Sequence, residues 1–475
     1  MRRLIARTSA VVAAGAMAGT IGVAGVSAAG AAIQAPEPSG ATSLATAHPL
    51  AVSGAKLWVR RFSGHSDVAS SVAVSPGGGR VFVIGASRGG TSGSDYLTGA
   101  YNAATGARLW TARYNGPGNS DDNARAVAVS PGGATVFVTG DSGGSSGFLQ
   151  DYATVAYRAS DGTQLWVARF NGPANFYDYP AAVSVARDGA AVFVTGTSLE
   201  NHNAGGSMTT VAYRAFDGAQ LWVKRWGAPG ASYGGTAIVS PGGNRVFVTG
   251  HVQSKRLTGE FGTVAYNAAT GARLWARRYV GSGGTSIAAS PDLTRVYVTG
   301  TSRDNNYITL AYSASTGARL WVKRYGGRRS DDRSYSVAVS PGGTVVVTGS
   351  FRPFSSATSD YATVAYSRGG AQLWARRYGG AARGYDAAHA VAAPGNGRVY
   401  ITGISWGGIA AAEDYATMAY NVRTGALLWV NRYNGPASGS DSATALAARG
   451  GRVFVTGGST RTTSGDIYAT IAYRG

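Results

Sequence analysis

Six aspartates recur at one place in a repeated stretch of the chain, and an arginine recurs at another. The aspartates precede short apolar segments and are Asp67, Asp122, Asp178, Asp332, Asp386 and Asp441. The arginines stand three residues after tryptophans and are Arg61, Arg113, Arg169, Arg225, Arg278, Arg324, Arg377 and Arg432. Such carboxylates could bind a ligand together, or they could accept backbone N–H bonds in turns and pair with the repeated arginines. Repetition in nearly every unit suits a requirement of the fold, so we assign both series a structural role.

The remaining ionisable residues do not have the spacing of a catalytic or metal-binding motif. A second polar series is also expected in turns and comprises Asp95, Asp151, Asp360, Asp414, Glu260 and Asn306. Of the five histidines, His48, His65 and His389 stand apart, while His202 and His251 lie in loops of neighbouring repeats and could approach each other. The absence of Cys excludes disulfides, thiolate metal sites and cysteine nucleophiles. We therefore predict no catalytic, cofactor-binding or metal-binding residue.

The composition indicates a folded chain with many turns. Charged residues make up 14% and hydrophobic residues 44%, which is too apolar for intrinsic disorder. The 71 glycines lack the three-residue period of collagen. The formal net charge of +20 suits an anionic partner, but no nucleic-acid-binding motif accompanies it. We expect no nucleic-acid partner.

The N-terminus has the layout of an export signal. Arg2, Arg3 and Arg7 precede an uncharged run rich in Ala, Val and Gly, which ends near small-residue cleavage sequences. We assign 1–31 to a signal peptide and 32–53, rich in Pro, Ser, Thr and Ala, to a linker. No later apolar run is long enough to cross a membrane. We therefore expect a secreted, extracellular chain without a transmembrane segment, exported by the Sec route rather than the twin-arginine route.

From residue 54 onward the chain consists of eight copies of one unit. A Leu-Trp pair recurs at Trp58, Trp110, Trp166, Trp222, Trp275, Trp321, Trp374 and Trp429. An apolar run ends on a glycine at Gly85, Gly140, Gly196, Gly250, Gly300, Gly349, Gly403 and Gly457. A third phrase, near YATVAY, also occurs eight times. Periods of about 40–50 residues are typical of β-propellers.

Each unit predicts four short antiparallel strands and no helix. The segments are rich in β-branched and aromatic residues, and SPGG or Thr-Gly turns join them. The first strand, 56–62, has no partners before it, and the last unit lacks a Leu-Trp strand. A closed ring in which 56–62 completes the last blade satisfies both ends. We predict an all-β, eight-bladed β-propeller over 54–475.

The stretch AYNAATGARLW, ending at Trp110, resembles the tryptophan-docking repeats of the pyrroloquinoline-quinone (PQQ) type. The stretches ending at Trp275 and Trp429 match the pattern equally well, and the likeness extends over 54–475. The chain is similar to bacterial β-propeller repeat proteins of a non-catalytic type. This resemblance implies the propeller fold, but repeat families of this kind include enzymes and scaffolds alike, so it implies no single function.

Strand order separates two faces of the predicted propeller. The short SPGG and Thr-Gly turns lie on one face, which we call the tight-turn face. The loops between blades and between second and third strands vary in sequence and lie on the other, the variable-loop face. Binding groups commonly lie on variable loops of a rigid scaffold. Our candidate ligand-binding residues are therefore Tyr177, Tyr233, Tyr385, Trp406, Arg328 and Arg329.

The tight-turn face is predicted to carry a rim of arginines. They begin second or fourth strands and are Arg80, Arg245, Arg295, Arg398, Arg452, Arg108, Arg273 and Arg319. Such a rim would attract anionic polymers, or it could simply keep a glycine-rich surface soluble.

Two classes of function remain open. We favour a secreted, monomeric, non-enzymatic scaffold that binds a protein or an anionic or carbohydrate polymer of the cell envelope. The alternative is a propeller enzyme, above all a quinoprotein-like dehydrogenase with PQQ and calcium, as the resemblance suggests. Against this enzyme, the chain lacks the adjacent cysteines of many such alcohol dehydrogenases, and no calcium-binding set can be assigned.

Overall fold

The computed structural model describes residues 53–62, 65–88, 93–144, 149–200, 205–227, 232–242, 244–253, 259–380, 382–408, 412–461 and 465–475. Side chains at 65–67, 232–233, 236–242, 461 and 465–466 lie outside this description. So do residues 1–52, which hold the predicted signal peptide and nearly all of the predicted linker. The described residues form eight four-stranded antiparallel sheets and contain no helix, so none that could cross a membrane.

The first four sheets, blades 1 to 4, each use four consecutive strands. Blade 1 comprises β2 (His65–Val74), β3 (Arg80–Arg88), β4 (Ser94–Asn102) and β5 (Arg108–Tyr114). Blade 2 comprises β6 (Asp122–Val129), β7 (Thr135–Gly143), β8 (Gln150–Arg158) and β9 (Gln164–Phe170). Blade 3 comprises β10 (Asp178–Val185), β11 (Ala191–Leu199), β12 (Gly206–Arg214) and β13 (Gln220–Trp226). Blade 4 comprises β14 (Ser232–Gly242), β15 (Arg245–Gln253), β16 (Gly259–Asn267) and β17 (Arg273–Val280).

Blades 5 to 7 repeat this order, and blade 8 closes the ring. Blade 5 comprises β18 (Gly284–Ala289), β19 (Arg295–Thr301), β20 (Tyr307–Ser313) and β21 (Arg319–Tyr325). Blade 6 comprises β22 (Arg333–Val339), β23 (Val345–Phe351), β24 (Asp360–Tyr366) and β25 (Gln372–Tyr378). Blade 7 comprises β26 (Asp386–Ala392), β27 (Arg398–Gly408), β28 (Ala412–Asn421) and β29 (Leu427–Tyr433). Blade 8 comprises β30 (Asp441–Arg449), β31 (Arg452–Arg461), β32 (Gly465–Arg474) and the N-terminal β1 (Lys56–Phe62).

The predicted eight-bladed propeller is therefore confirmed, including its closure. β1 pairs antiparallel with β32, and the Gly54 N–H donates to the Arg474 carbonyl at 2.8 Å. The first strand of each blade contacts the first strand of the next, and β30 contacts β2, so the inner strands form a complete ring. Closure completes the last blade, so every blade has four paired strands.

A β-bulge in every inner strand explains the eight repeated glycines. In blade 2 the pairing register skips a residue between Ala124 and Ala126, and each of the other seven inner strands has the same irregularity. The bulge brings the Asn123 carbonyl onto Gly140, where an added Cβ would lie 2.0 Å from that oxygen. At all eight glycines the matching distance is between 1.8 and 2.1 Å. No larger residue fits there without moving the inner strand.

The repeated tryptophans dock each blade on the next. The Trp110 indole N–H donates to the Ala159 carbonyl of blade 2 at 3.1 Å, and its ring lies against Gly162, which has a φ of +80°. Six other tryptophans make the same bond at 2.9–3.2 Å. Trp429 faces the ring closure instead, where Gly54 replaces the turn glycine and the indole N–H has no partner among the described residues.

Candidate functional site

The repeated aspartates anchor the loops of the variable-loop face. Asp122 is fully buried and accepts the backbone N–H groups of Gly116 at 2.6 Å and Gly143 at 3.1 Å. Asp178, Asp386 and Asp441 accept the equivalent N–H at 2.5–2.8 Å, and Asp332 accepts from Ser330 and from the Arg352 N–H. The side chain of Asp67 lies outside the described residues. Burial raises the pKa of the carboxyl groups of Asp122, Asp178, Asp332 and Asp441.

The repeated arginines have different ion-pair partners from those expected. Each lies in the outermost strand of its blade, and the carboxylates it reaches belong to the second acidic series. The pairs are Arg113–Asp95 at 3.1 Å, Arg169–Asp151 at 3.0 Å, Arg432–Asp414 at 2.8 Å and Arg278–Glu260 at 3.8 Å. Among the described side chains no ion pair joins these arginines to the first aspartate series, so the expected pairing is wrong for Asp122, Asp178, Asp332, Asp386 and Asp441. The reason is geometric: the second series lies on the strand next to the outermost one, whereas the first is taken up by backbone N–H groups.

The other repeated arginines of this series contact neutral groups. The Arg61 guanidinium donates to the Tyr433 hydroxyl at 2.9 Å, and Arg225 donates to the Ser207 hydroxyl at 3.0 Å. Arg377 lies over the Phe351 ring, 3.2 Å from its centroid. Arg324 is exposed in β21. These contacts link neighbouring strands and blades, although most arginines of the series remain exposed.

Several bulge residues donate a hydrogen bond to the neighbouring inner strand. The Ser70 hydroxyl donates to the Ala124 carbonyl at 2.7 Å, and the Thr285 hydroxyl donates to the Ser334 carbonyl at 3.0 Å. Thr444 makes the same bond across the ring closure. A bulge re-aims the side chain that it carries. The eight bulges therefore form a ring of equivalent positions around the propeller axis.

Large side chains occupy three of these bulge positions and make the ring asymmetric. Arg125 lies in blade 2, while Tyr335 and His389 lie in the adjacent blades 6 and 7. The His389 Nδ1–H donates to the Ala443 carbonyl at 2.8 Å, and its ring meets the Tyr335 ring edge-on with centroids 5.8 Å apart. Burial lowers the pKa of the His389 imidazole, which favours its neutral form.

A cavity of about 150 Å³ lies between blades 6 and 7 on the variable-loop face. We call it the blade 6–7 cleft, and it is lined by Asp331, Arg333, Tyr335, Ser350, Arg352, Ser359 and Tyr385. Asp331 is nearly buried, and its two oxygens accept from Arg333 at 3.3 Å and Arg352 at 2.6 Å. The two guanidinium groups remain about half exposed, with side-chain exposures of 48% and 45%. One carboxylate thus orients two accessible cations.

Two tyrosines and a buried serine also line the cleft. Tyr385 is 43% exposed, and burial, followed by the neighbouring Tyr335 hydroxyl, raises its pKa to about 12. Ser359 fixes this segment, because the Asp386 N–H donates to its carbonyl at 2.9 Å and its own hydroxyl donates to the Asp386 carbonyl at 3.0 Å. The raised pKa keeps the Tyr385 phenol protonated at neutral pH, so it can donate a hydrogen bond.

Four of the six predicted ligand-binding residues lie at or beside this cleft. Tyr385 lines it, and Trp406 lies against the adjacent Gly384, where an added Cβ would be 2.2 Å from the indole. Arg328 and Arg329 are exposed in the loop before β22, and the Arg329 carbonyl accepts the Phe354 N–H at 2.8 Å.

The other two predicted residues lie elsewhere. Tyr177 is in blade 3, where its ring stacks on that of Tyr179 at 5.8 Å. Nearby in blade 2, Asp141 is buried and pairs with Arg125 at 2.5 Å. The side chain of Tyr233 lies outside the described residues.

Sequence analysis missed Asp331, Arg333 and Arg352 as a group. Asp331 and Arg333 flank the repeated Asp332, and Arg352 follows β23 directly. The sequence does contain one indication of this group, the run Asp-Asp-Arg, which occurs in no other unit. The run does not show that Arg352 lies beside Asp331 and Arg333, because that contact depends on the loop conformations.

The family described as outer membrane protein assembly factor BamB matches residues 207–403 and 304–470. These matches together cover 207–470, more than half of the 475-residue chain. The chain belongs to the BamB family. The predicted kinship with PQQ-type propeller repeats is thereby confirmed. A search of curated protein sequences gave no match.

Solved structures place this BamB-family chain among propellers of several kinds. BamB from Moraxella catarrhalis is 16% identical, over 89% of this chain and 97% of that one, with a TM-score of 0.48. Quinohemoprotein alcohol dehydrogenase from Comamonas testosteroni is 12% identical, over 88% and 76%, with a TM-score of 0.56. The Dos1 propeller is 11% identical, over 88% and 95%, with a TM-score of 0.54. At such identities the likeness shows the propeller fold alone.

The residues of the blade 6–7 cleft do not fit the calcium that accompanies PQQ. Calcium takes six to eight oxygen ligands. The cleft carboxylate, Asp331, already accepts from two guanidinium groups. Throughout the part of the chain that the structure describes, no three His, Asp or Glu side chains come together as a metal site. The His251 Nδ1–H donates to the Ser282 carbonyl at 3.0 Å, and its proposed neighbour His202 lies outside the described residues.

Several arginines of the tight-turn rim make contacts within this propeller. Arg398 donates to the Ser53 hydroxyl at 2.9 Å, Arg295 donates to the Arg368 carbonyl, and Arg319 lies over the Tyr279 ring at 5.4 Å. Arg108 and Arg273 are exposed. The rim thus combines structural and solvated arginines.

Proposed function

We propose that this BamB-family protein is a non-enzymatic scaffold that binds a protein partner on its variable-loop face. One observation carries the proposal: the ring of equivalent bulge positions becomes asymmetric at blades 6 and 7, beside a cleft with two half-exposed arginines and two tyrosines. Structural requirements repeat from blade to blade. The large bulge residue of blade 2, Arg125, pairs with Asp141 of the same blade, whereas the two adjacent departures at Tyr335 and His389 lie beside the cleft and call for a different explanation. Binding a partner supplies one.

The chemistry of this junction suits a protein interface. Tyr, Trp and Arg are the residues that most often dominate binding energy in such interfaces. Tyr385, Trp406, Arg333 and Arg352 lie close together here, and Phe354 adds an apolar side chain that is 60% exposed. The loops that carry them are held by buried groups, since Asp332 accepts the Arg352 N–H and Ser359 fixes the segment next to Tyr385. A rigid, mixed polar and aromatic patch favours a specific partner over a diffuse polymer.

Location and assembly belong to the same proposal. The N-terminal arginines followed by an apolar run support export, so we propose that the protein acts outside the cytoplasm. Its partner would then come from the cell envelope or the medium. We propose that a single chain binds. Eight complete sheets in one chain support this, because the ring closes without a second copy.

Affinity capture with two matched variants tests the proposal. The immobilised protein is exposed to envelope and culture-medium extracts of the source organism, and retained proteins are identified by mass spectrometry. Arg352→Ala/Tyr385→Ala removes one arginine and one aromatic ring from the variable-loop face. The control variant Arg108→Ala/Phe216→Ala removes one arginine and one aromatic ring from the tight-turn face, where Phe216 is 88% exposed. We expect a discrete partner that the first variant loses and the second keeps. Equal retention by both variants would refute the assignment of the face.

A further inference from the structure

We propose that the blade 6–7 cleft binds carboxylate side chains of an acidic segment in the protein partner, with Arg333 and Arg352 as the anion-binding residues. This inference rests on the proposed scaffold function and names the chemistry that its site recognises. Two guanidinium groups share one carboxylate in this cleft, since Asp331 pairs with both Arg333 and Arg352.

Hydrogen-bond donors remain after Asp331 is satisfied. A guanidinium group has five N–H donors. Arg352 uses Nη2 toward Asp331, and Arg333 uses Nε and Nη2. The remaining N–H groups belong to side chains that are about half exposed. Two guanidinium groups held by a shared carboxylate are preoriented, and such planar forks bind a further carboxylate in bidentate fashion.

The surrounding charge is positive on balance. Arg328, Arg329 and Arg383 are exposed in the loops on either side, in addition to Arg333 and Arg352. Asp331 lines the cleft, and Glu413 acts electrostatically on Tyr385. Asp332, Asp360 and Asp386 adjoin lining residues, but Asp332 and Asp386 are fully buried. The exposed charges around the cleft are therefore mainly those of arginines, which would draw an acidic segment toward it and speed association.

The tyrosines and the size of the cavity suit an amino-acid side chain as the ligand. The Tyr335 and Tyr385 side chains are hydrogen-bonded to each other, so the pair keeps one hydroxyl proton that it can donate to an oxygen of the bound group. A volume of about 150 Å³ accommodates one short carboxylate side chain. The exposed ring of Phe354 and the half-buried ring of Trp406 lie near the loops that border the cleft and can contact the neighbouring residues of the bound segment.

Fluorescence anisotropy with a labelled, C-terminally amidated oligoglutamate peptide tests the assignment. An oligoglutamine peptide of the same length is the neutral probe, and an oligogalacturonate is the polysaccharide probe. The variants are Arg352→Gln, Arg333→Gln and the charge-preserving Arg352→Lys, with Arg108→Gln as the matched loss of one charge on the tight-turn face. Near-ultraviolet circular dichroism and thermal unfolding confirm that each variant is folded, and two independent arginines keep the test valid if one variant is not.

We expect the wild-type protein to bind oligoglutamate and not oligoglutamine. Arg352→Gln and Arg333→Gln should each weaken binding about ten-fold, because each removes a charge-assisted pair. Arg352→Lys should also weaken it, since Lys lacks the fork, whereas Arg108→Gln should change it less than about two-fold. Equal losses in Arg352→Gln and Arg108→Gln would overturn the proposal, because attraction would then follow net charge alone.

Two further outcomes separate this inference from the proposed function. Preferential binding of oligogalacturonate with the same dependence on Arg352 would refute a protein carboxylate as the ligand. The cleft variants could bind oligoglutamate as tightly as the wild-type protein while Arg352→Ala/Tyr385→Ala still loses the captured partner. The scaffold function would then stand, and the carboxylate site would be wrong. If the capture experiment also yields no partner, both proposals are wrong.

Discussion

Replacing Gly140 with alanine tests the mechanical link between the inner-strand bulge and the repeated glycine. A Cβ at Gly140 would lie 2.0 Å from the Asn123 carbonyl oxygen and 2.8 Å from the Ala124 Cα, both backbone atoms. Ordinary van der Waals contact begins at 3.4 Å, so the inner strand must move by more than an ångström. Overpacking of a core usually costs about 1–3 kcal/mol. Since backbone rather than a flexible side chain must yield, we expect a loss near 3 kcal/mol in the free energy of unfolding, as a rough figure.

Gly132→Ala is the matched control. Gly132 lies in the adjacent turn between β6 and β7, and an added Cβ would have no neighbour within 4 Å. The same change of residue there should be neutral or should stabilise the protein by up to about 1 kcal/mol, through reduced entropy of the unfolded chain. Urea unfolding followed by tryptophan fluorescence measures both variants. The midpoint should fall for Gly140→Ala and stay or rise for Gly132→Ala. An unchanged midpoint for Gly140→Ala would refute the close approach on which the bulge argument rests.

Two further predictions concern inter-blade bonds. Trp110→Phe should lower the free energy of unfolding by about 1 kcal/mol more than Trp429→Phe does. The reason is that the Trp110 indole N–H donates to the Ala159 carbonyl, whereas the Trp429 indole N–H has no partner among the described residues. Equal losses of stability in urea unfolding would contradict this prediction. The second concerns His389, whose pKa is lowered by burial in the folded protein. The neutral imidazole contributes to the free energy of unfolding above the unfolded-state pKa, which is near 6.5. This contribution is lost as the pH falls through the lower folded-state pKa, because the unfolded chain takes up a proton more readily. The wild-type protein should therefore lose melting temperature relative to His389→Gln between pH 7.5 and pH 5, and a constant difference would disprove the buried, neutral state of this histidine.

The fold was largely predictable because its requirements repeat. Three kinds of residue meet the same structural requirement from blade to blade: Gly140 and its counterparts, the docking tryptophans and the buried aspartates. Because these residues recur along the chain, the pattern can be recognised in the sequence. The ion-pair partners of the repeated arginines were less predictable. Arg113 and Asp95 lie 18 residues apart and meet only through the register of β4 with β5. Sequence alone does not reveal which of two carboxylates a strand arginine will reach.

The site was predictable only in part, for a related reason. Tyr385 and Trp406 were identifiable as aromatic residues in variable loops. Arg333 and Arg352 were not, because they meet through hydrogen bonds between two loops, in which the Asp331 N–H donates to the Arg352 carbonyl at 2.7 Å. The asymmetry at His389 depends on the bulge, which re-aims one residue in each inner strand and is invisible to simple alternation of polar and apolar residues.

Site-specific photo-crosslinking tests the central claim, that a protein partner binds the variable-loop face, most directly. A photoreactive phenylalanine analogue replaces Tyr385 on that face or Phe216 on the tight-turn face, two exposed aromatic positions. After irradiation in extracts of the source organism, we predict a discrete protein adduct from position 385 and none from position 216. An adduct from position 216 alone, or the same adduct from both positions, would contradict the account.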